Sequence, residues 1–257
     1  MSYILYNVKD RTAFITLNRP EKRNALSHEL VSELKSALEK AEQDDEVKVV
    51  VLNAAGEAFS AGADLAYLQQ LQNFSYEQNV NDSLHLKELF LMIYEFRKVV
   101  IAQVEGHALA GGCGLATVCD FVFAVPEAKF GYTEVKIGFI PAIVMVFLLR
   151  KIGEGRAKSL LLTGTLIAAQ EAAAIGLINA VVGKKKIADE VQRFAHELVY
   201  TNSGSSMSIT KQMIGKVQSL ALDDALNFAA EMNAKARASE DCRRGIQAFL
   251  GKEKIRW

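Results

Sequence analysis

The stretch VIAQVEGHALAGGCGLATVCDFVFAV, Val100 to Val125, decides how the rest of the chain is read. Its first residues form the near-continuous apolar run of a strand buried on both faces. That run breaks at Gly106, Gly111, Gly112 and Gly114, becomes a short helix, and returns to an apolar strand at FVFAV. A glycine has no Cβ, so the backbone itself can approach a ligand there. A turn from strand into helix also leaves N–H groups without intrahelical acceptors at the positive end of the helix dipole. The same succession occurs upstream, in NAAGEAFSAGADL. Two such turns in consecutive units can converge at the carboxyl edge of a parallel sheet, where ligands bind. Two inward N–H groups at that edge make an oxyanion hole.

The flanking sequence supports such a sheet. YILYNV and AFITLN are short β-rich runs joined by KDR, a hairpin signal. Ser27 is placed to cap the helix HELVSELKSALEKAEQD, and VKVVVLNA reads as a buried strand. A polar stretch, QNFSYEQNVND, leads into the helix SLHLKELFLMIYEFRK. This alternation predicts right-handed crossovers and a mostly parallel sheet in an α/β fold. IGFIPAIVMVFLL falls short of the roughly 20 residues of a membrane span and contains a proline, so a buried helix is expected. Beyond Tyr132 the chain reads as helix except for GLINAVV, with TNSGSSMS as the clearest later break. The expected organisation is an α/β core over 1–188 and a helical region over 189–257. The apolar stripes of that region need either the core or another subunit to cover them.

Composition removes several function classes. Thirty basic residues balance thirty acidic ones in 257, which argues against nucleic-acid or anionic-membrane partners. Cys113, Cys119 and Cys242 lack ligand or CxxC spacing and read as free thiols of a reducing, cytoplasmic compartment. The N-terminal residues show no signal-peptide pattern. No metal site is expected: SHEL and AHEL lack the second histidine of a zinc motif, leaving His28 and His196 as surface residues. The glycines do not complete a dinucleotide fingerprint, GEGRAKS is not a P-loop, and no G-x-S-x-G is present.

LNRPEKRNAL, FSAGADL, ALAGGCGLATVCD, AKFGYTEVKIGFIP, LLLTGTLIAAQEAAAIGLINAVV and EDCRRGIQAFLGK follow one another as in the enoyl-CoA hydratase/isomerase, or crotonase, superfamily. The chain resembles that superfamily over almost its whole length, least between about Gln69 and Asn81. The resemblance implies a ClpP/crotonase-like fold of repeated ββα units with a C-terminal helical region, assembled as a homotrimer or homohexamer. It implies a coenzyme A or acyl-carrier-protein thioester as substrate, with coenzyme A entering as part of the substrate and no permanently bound cofactor. By the same resemblance the amides of Ala63 and Gly111 form the oxyanion hole. Asp64, Leu65 and Ala66 continue the CoA-binding segment, and Lys22 and Arg23 lie along the CoA path. Ala25, Ala61, Tyr67, Tyr132 and Pro141 complete the expected substrate contacts.

Hydratases of this superfamily often use two glutamates. The second is present here as Glu134 in GYTEV, while Gly114 stands at the position of the first. A single glutamate suffices for syn hydration, for a 1,3-proton shift, or for reprotonating an enolate after decarboxylation. Without the resemblance, Glu134 would read as a surface carboxylate paired with Lys136. Tyr67 or Tyr132 could position water, with Tyr76 and His107 as further polar candidates. AIVMVFLL replaces the usual glycine-rich run and should narrow the acyl pocket. YTEVKIGFIPAIVMVFLLRKIGE with Gly114 most resembles the methylglutaconyl-CoA hydratase-like branch of leucine breakdown. The expectation is a lyase hydrating or dehydrating a short or branched enoyl-CoA in acyl-CoA and fatty acid metabolism. The alternatives are an isomerase, a decarboxylase, or a catalytically silent binding protein of the same fold.

Overall fold

The computed structural model describes residues 2–257, with the side chain of Leu65 outside the described part. In chain order the elements begin with β1 (Ile4–Lys9), β2 (Thr12–Leu17), α1 (His28–Gln43), β3 (Val49–Ala54), β4 (Ala58–Ser60), α2 (Leu65–Leu71) and α3 (Tyr76–Glu95). Next come β5 (Val99–Val104), β6 (His107–Leu109), α4 (Gly111–Val118), β7 (Phe121–Ala124), β8 (Lys129–Gly131), α5 (Ala142–Thr163), β9 (Ile167–Ala168), α6 (Ala169–Ala174) and β10 (Ala180–Val181). Four helices close the chain: α7 (Ile187–Thr201), α8 (Gly204–Val217), α9 (Leu222–Ala238) and α10 (Glu240–Gly251).

Two sheets organise these elements. One runs β1-β2-β3-β5-β7-β10 and the other β4-β6-β8-β9. The pairs β3/β4, β5/β6 and β7/β8 each place one strand in either sheet before the chain turns into helix, so the ββα repeat is visible in the topology. β1 and β2 are antiparallel, joined through Asp10 and Arg11 at φ 49° and 59°, a two-residue turn whose twist suits a hairpin. β2, β3, β5, β7 and β10 are parallel throughout. β5 is buried along its full length, as expected of a strand covered on both faces. α1 lies on β1 and β2, while α7 lies on β3 and β5. Ser27 caps α1, its hydroxyl accepting from the Leu30 N–H.

Three sequence expectations require adjustment. α3 begins at Tyr76, inside the stretch expected to be a lead-in, because Ser75 and Gln78 form a reciprocal capping box. The apolar run entering α5 is not a buried helix. Val144, Leu148 and Ile152 face the core at i, i+4 spacing, but Ile137, Phe139, Ile140, Met145, Val146 and Leu149 are exposed. The expected boundary at 188/189 falls within α7, whose Ile187, Val191, Ala195 and Val199 belong to the sheet's core. The change in packing comes after it: α8, α9 and α10 contain no buried residue.

Candidate active site

The two glycine-bearing turns meet. Leu26, just ahead of α1, forms a parallel bridge with Ala63. The Leu26 N–H donates to the Gly62 carbonyl at 2.6 Å, and the Asp64 N–H donates to the Leu26 carbonyl at 3.2 Å. Backbone groups alternate in direction along an extended chain, so pinning residues 62 and 64 on Leu26 turns the Ala63 N–H the other way. Gly62, at φ +90°, brings this turn onto the next one. A Cβ there would stand 2.8 Å from Ala110 Cβ, 3.0 Å from the Leu109 carbonyl oxygen and 3.5 Å from the Gly111 nitrogen. Gly112 lies equally close to Ser60, where a Cβ would fall 2.6 Å from the serine Cβ and Oγ.

Gly111 opens α4, where an N–H has no intrahelical acceptor. Ala110, at φ 49° and ψ −125°, holds a conformation that L residues rarely adopt, and its N–H donates to the Gly131 carbonyl at 2.7 Å. Such strain in the residue before Gly111 aims that amide. Neither the Ala63 nor the Gly111 N–H finds an acceptor among the described residues. Ala63 is exposed and Gly111 half-buried, so both can be reached from outside.

Glu134 opens the short 3-10 turn Glu134–Ile137 that follows β8. Its Oε2 is buried and has no hydrogen-bond partner, and burial pushes its carboxyl up from the ordinary value against one opposing backbone hydrogen bond. The surface-pair alternative does not hold: Glu134 makes no ion pair among the described residues, and exposed Lys136 runs beside Gly164. Glu134 lies close enough to α4 to raise the Cys113 thiol through its charge, a smaller effect than the burial that pushes Cys113 up to about 12.

Asp64 does not face the site. Its carboxylate caps α2, accepting from the Ala66 and Tyr67 N–H groups at 2.8 and 3.3 Å, and pairs with Arg19 at 2.7 Å. Burial alone would raise its pKa; the two N–H bonds and the Arg19 guanidinium outweigh that and hold it low. Asp64 therefore positions the first turn. Buried Asn24 assists, accepting from the Arg19 N–H and donating to the Ala55 and Ala58 carbonyls, each within 2.9 Å. Neither Arg19 nor Asn24 was singled out from sequence, although both stand in LNRPEKRNAL. A buried asparagine beside an arginine becomes informative only once its acceptors are known.

The remaining expected contacts divide. Lys22, Arg23 and Ala66 are exposed beside the first turn, Ala61 is half-buried there, and Ala25 is buried. The Arg23 carbonyl accepts from the Ala61 N–H at 3.0 Å, which ties the LNRPEKRNAL segment to the turn. Leu65 starts α2, but its side chain lies outside the described part. Tyr67 is half-buried and its hydroxyl donates to Asp82, which links α2 to α3. Pro141 lines a groove of about 730 Å³ with Val135, Ile140, Met145, Leu149 and Leu162, beginning one residue beyond Glu134.

Tyr132 does not line the site. It is fully buried, its hydroxyl bonded to Thr117 Oγ1 at 2.7 Å, so it cannot hold water for a substrate. Tyr76 is 86 % exposed, and exposed His107 accepts from the Lys129 N–H through Nδ1. A second groove, of about 770 Å³, lies at the other end of α4 between α5, α7 and α8. There Lys151 donates to the Thr117 and Cys119 carbonyls, and Lys211 of α8 pairs with Asp120.

The position of the absent acid is closed. A Cβ on Gly114 would overlap Val144 Cγ1, and would stand 2.8 Å from Val144 Cβ and 3.0 Å from Phe90 Cε1. Two amides and one buried carboxylate are the reactive groups this arrangement presents. It can hold a carbonyl oxygen on which negative charge develops, with one group to move a proton.

A family model described as enoyl-CoA hydratase/isomerase matches residues 8–257. A provisionally named enoyl-CoA hydratase of Thermus thermophilus is 44 % identical over 97 % of the chain and 98 % of its own length. A crotonyl-CoA hydratase of Syntrophomonas wolfei is 34 % identical over 98 % of the chain and 96 % of its own length. The crystal structure of an enoyl-CoA hydratase from Shewanella pealeana superposes with a TM-score of 0.93 at 29 % identity, covering 99 % of this chain and 96 % of that one.

Proposed function

The chain belongs to the enoyl-CoA hydratase/isomerase family, and on that premise we propose that it hydrates, or dehydrates, a short or branched enoyl-CoA thioester. The observation that carries this reading is the unpartnered, buried Oε2 of Glu134 in a site with two acceptor-free amides. The thioester carbonyl oxygen accepts from the Ala63 and Gly111 N–H groups. Glu134 takes a proton from water as the oxygen of that water bonds to the β-carbon. The π electrons of the double bond move onto the carbonyl oxygen as an enolate, and the proton held by Glu134 then passes to the α-carbon. Fixed donors need no reorganisation as the charge develops, and losing one typically costs about 3–4 kcal/mol.

Two features support a short or branched acyl group. Val144 lies in AIVMVFLL, the bulky run that replaces the superfamily's usual glycine-rich one, and the sequence around Glu134 resembles the methylglutaconyl-CoA branch, which would place the reaction in leucine degradation. Coenzyme A enters as part of the substrate, and the reaction requires no metal. The bare apolar faces of α8, α9 and α10 support assembly as a homotrimer or homohexamer. No helix among the described residues is long and apolar enough to cross a membrane, and a cytoplasmic location is proposed with the rest.

Crotonyl-CoA and 3-methylglutaconyl-CoA turnover by wild type and Glu134→Ala tests the proposal. Wild type is expected to consume at least one, and the variant to lose about 100- to 10,000-fold. Turnover of neither, with no carbon dioxide released from a malonyl-type thioester, defeats the enzyme reading and leaves a binding protein. The single carboxylate favours one other outcome, a 1,3-proton shift. Conversion of a 3-enoyl-CoA without hydration of the 2-enoyl isomer would identify it.

A further inference from the structure

Gly111 and Gly114 are three residues apart on α4 and therefore share a face, separated by about 4.5 Å of helix rise. A side chain at 114 would lean back toward the helix N-terminus, toward the Gly111 amide. The space over Gly114 thus adjoins the place where the acyl carbons lie once that amide holds the carbonyl. It is filled from outside α4. Val144 of α5, 4 % exposed, sits over Gly114, and fully buried Phe90 of α3 backs it. Phe90 in turn stacks on Phe147 of α5, ring centroids 5.9 Å apart. Three helices therefore build one apolar wall, with a methyl group where the family's other acid would reach in. Among the described residues no neighbour supplies the missing group: the Tyr132 hydroxyl is held by Thr117, and the Cys113 thiol is buried.

We propose that Val144 is a specificity-determining residue: its isopropyl group over Gly114 walls the acyl site beside the reacting carbons and confines the substrate to short acyl chains. The wall also leaves Glu134 as the one carboxylate on the reacting carbons. This rests on the thioester reading above.

Binding of saturated acyl-CoAs, which cannot turn over, tests the wall separately from the chemistry. Dissociation constants for butyryl-, hexanoyl- and octanoyl-CoA are measured by titration calorimetry on wild type, Val144→Ala and Val144→Thr. Wild type should favour butyryl-CoA. Val144→Ala should shift the octanoyl-to-butyryl ratio by about tenfold or more toward the longer chain, in line with the worth of a methylene in an apolar pocket. Val144→Thr keeps the shape and should keep the wild-type order.

A ligand-free measurement accompanies it. Gly114→Ala should lower the melting temperature of wild type, and far less so in the Val144→Ala background. Butyryl-CoA binding with an unchanged order in Val144→Ala, or melting shifts that simply add, overturns the inference and leaves the function standing. Failure of wild type to bind any of the three thioesters overturns both.

Discussion

In the proposed mechanism Glu134 couples catalysis to stability through one buried oxygen. Its carboxyl is harder to ionise in the fold than in the unfolded chain. Between the ordinary glutamate value and the raised one, the native state holds a proton that the unfolded chain has released, so stability falls as pH climbs through that window. Glu134→Gln removes this penalty. The variant should melt above wild type at neutral pH, lose that advantage below the ordinary glutamate value, and turn over about 100- to 10,000-fold more slowly. Melting curves across pH, set beside initial rates, check the sign of each effect. Gly62 gives a second residue-scale prediction. Gly62→Ala puts a Cβ against Ala110 at a φ of +90°, prising the two turns apart. The kcat should fall about 100- to 1,000-fold, comparable to losing an oxyanion donor, while circular dichroism stays native. Residue identity alone suggested two turns with free amides, because small residues between strand and helix are a local signal; that the amides are those of Ala63 and Gly111 came from the resemblance to a family. That Glu134 joins them was legible only through the resemblance to a family. That Val144 fills the place of the absent first acid could not be read, because a contact across about thirty residues leaves no periodicity.

At the scale of elements, the strands were the most legible part. β3 and β5 are runs rich in β-branched residues, and the hairpin of β1 and β2 announces itself through KDR. The failures have physical causes. The first turns of α3 are largely exposed, so no apolar stripe marks them, and the Ser75–Gln78 capping box was the one usable cue. α5 misleads in the opposite sense, being apolar on a face that nothing among the described residues covers. Lys211 ties helix α8 to the core. Its Nζ donates to the Ile93 and Lys98 carbonyls at 3.1 and 3.2 Å and to Asp120 Oδ2 at 2.7 Å. Burial raises the Asp120 carboxyl, while the Lys211 charge draws it back down. Lys211→Met leaves Asp120 largely buried without its cation. A loss of about 3 kcal/mol is expected in urea titration, together with faster amide exchange across α8. Glu134-dependent turnover should fall less than stability does.

For the whole molecule, the unresolved balance is between its surface and its core. The sheets and α7 close around one core, yet Ile214, Leu222, Leu226, Ile246, Phe249 and Leu250 stand exposed on the last three helices. Phe249 is 82 % exposed, and large apolar side chains gathered on an exposed surface mark interaction sites. The proposed trimer or hexamer predicts a solution mass by light scattering of three or six times 28.2 kDa. Phe249→Glu with Leu250→Glu should shift that mass toward the monomer. A wild-type monomer at micromolar concentration would remove the oligomer proposal without touching the active site. The sequence indicated that these helices need a cover, since their stripes are apolar, but a stripe does not name what lies against it.

The interlock of Gly114 with Val144 also constrains the order in which this site could be rebuilt with a second acid. Enlarging position 114 first forces a carboxylate into methyl groups and an aromatic edge, an intermediate that is overpacked and carries a buried charge. Shrinking position 144 first leaves only a small void, of the kind that costs about 1–3 kcal/mol, after which the acid has somewhere to go. Laboratory evolution toward a two-carboxylate enzyme should therefore fix changes at 144 before changes at 114, and a library randomised at 114 alone should return glycine.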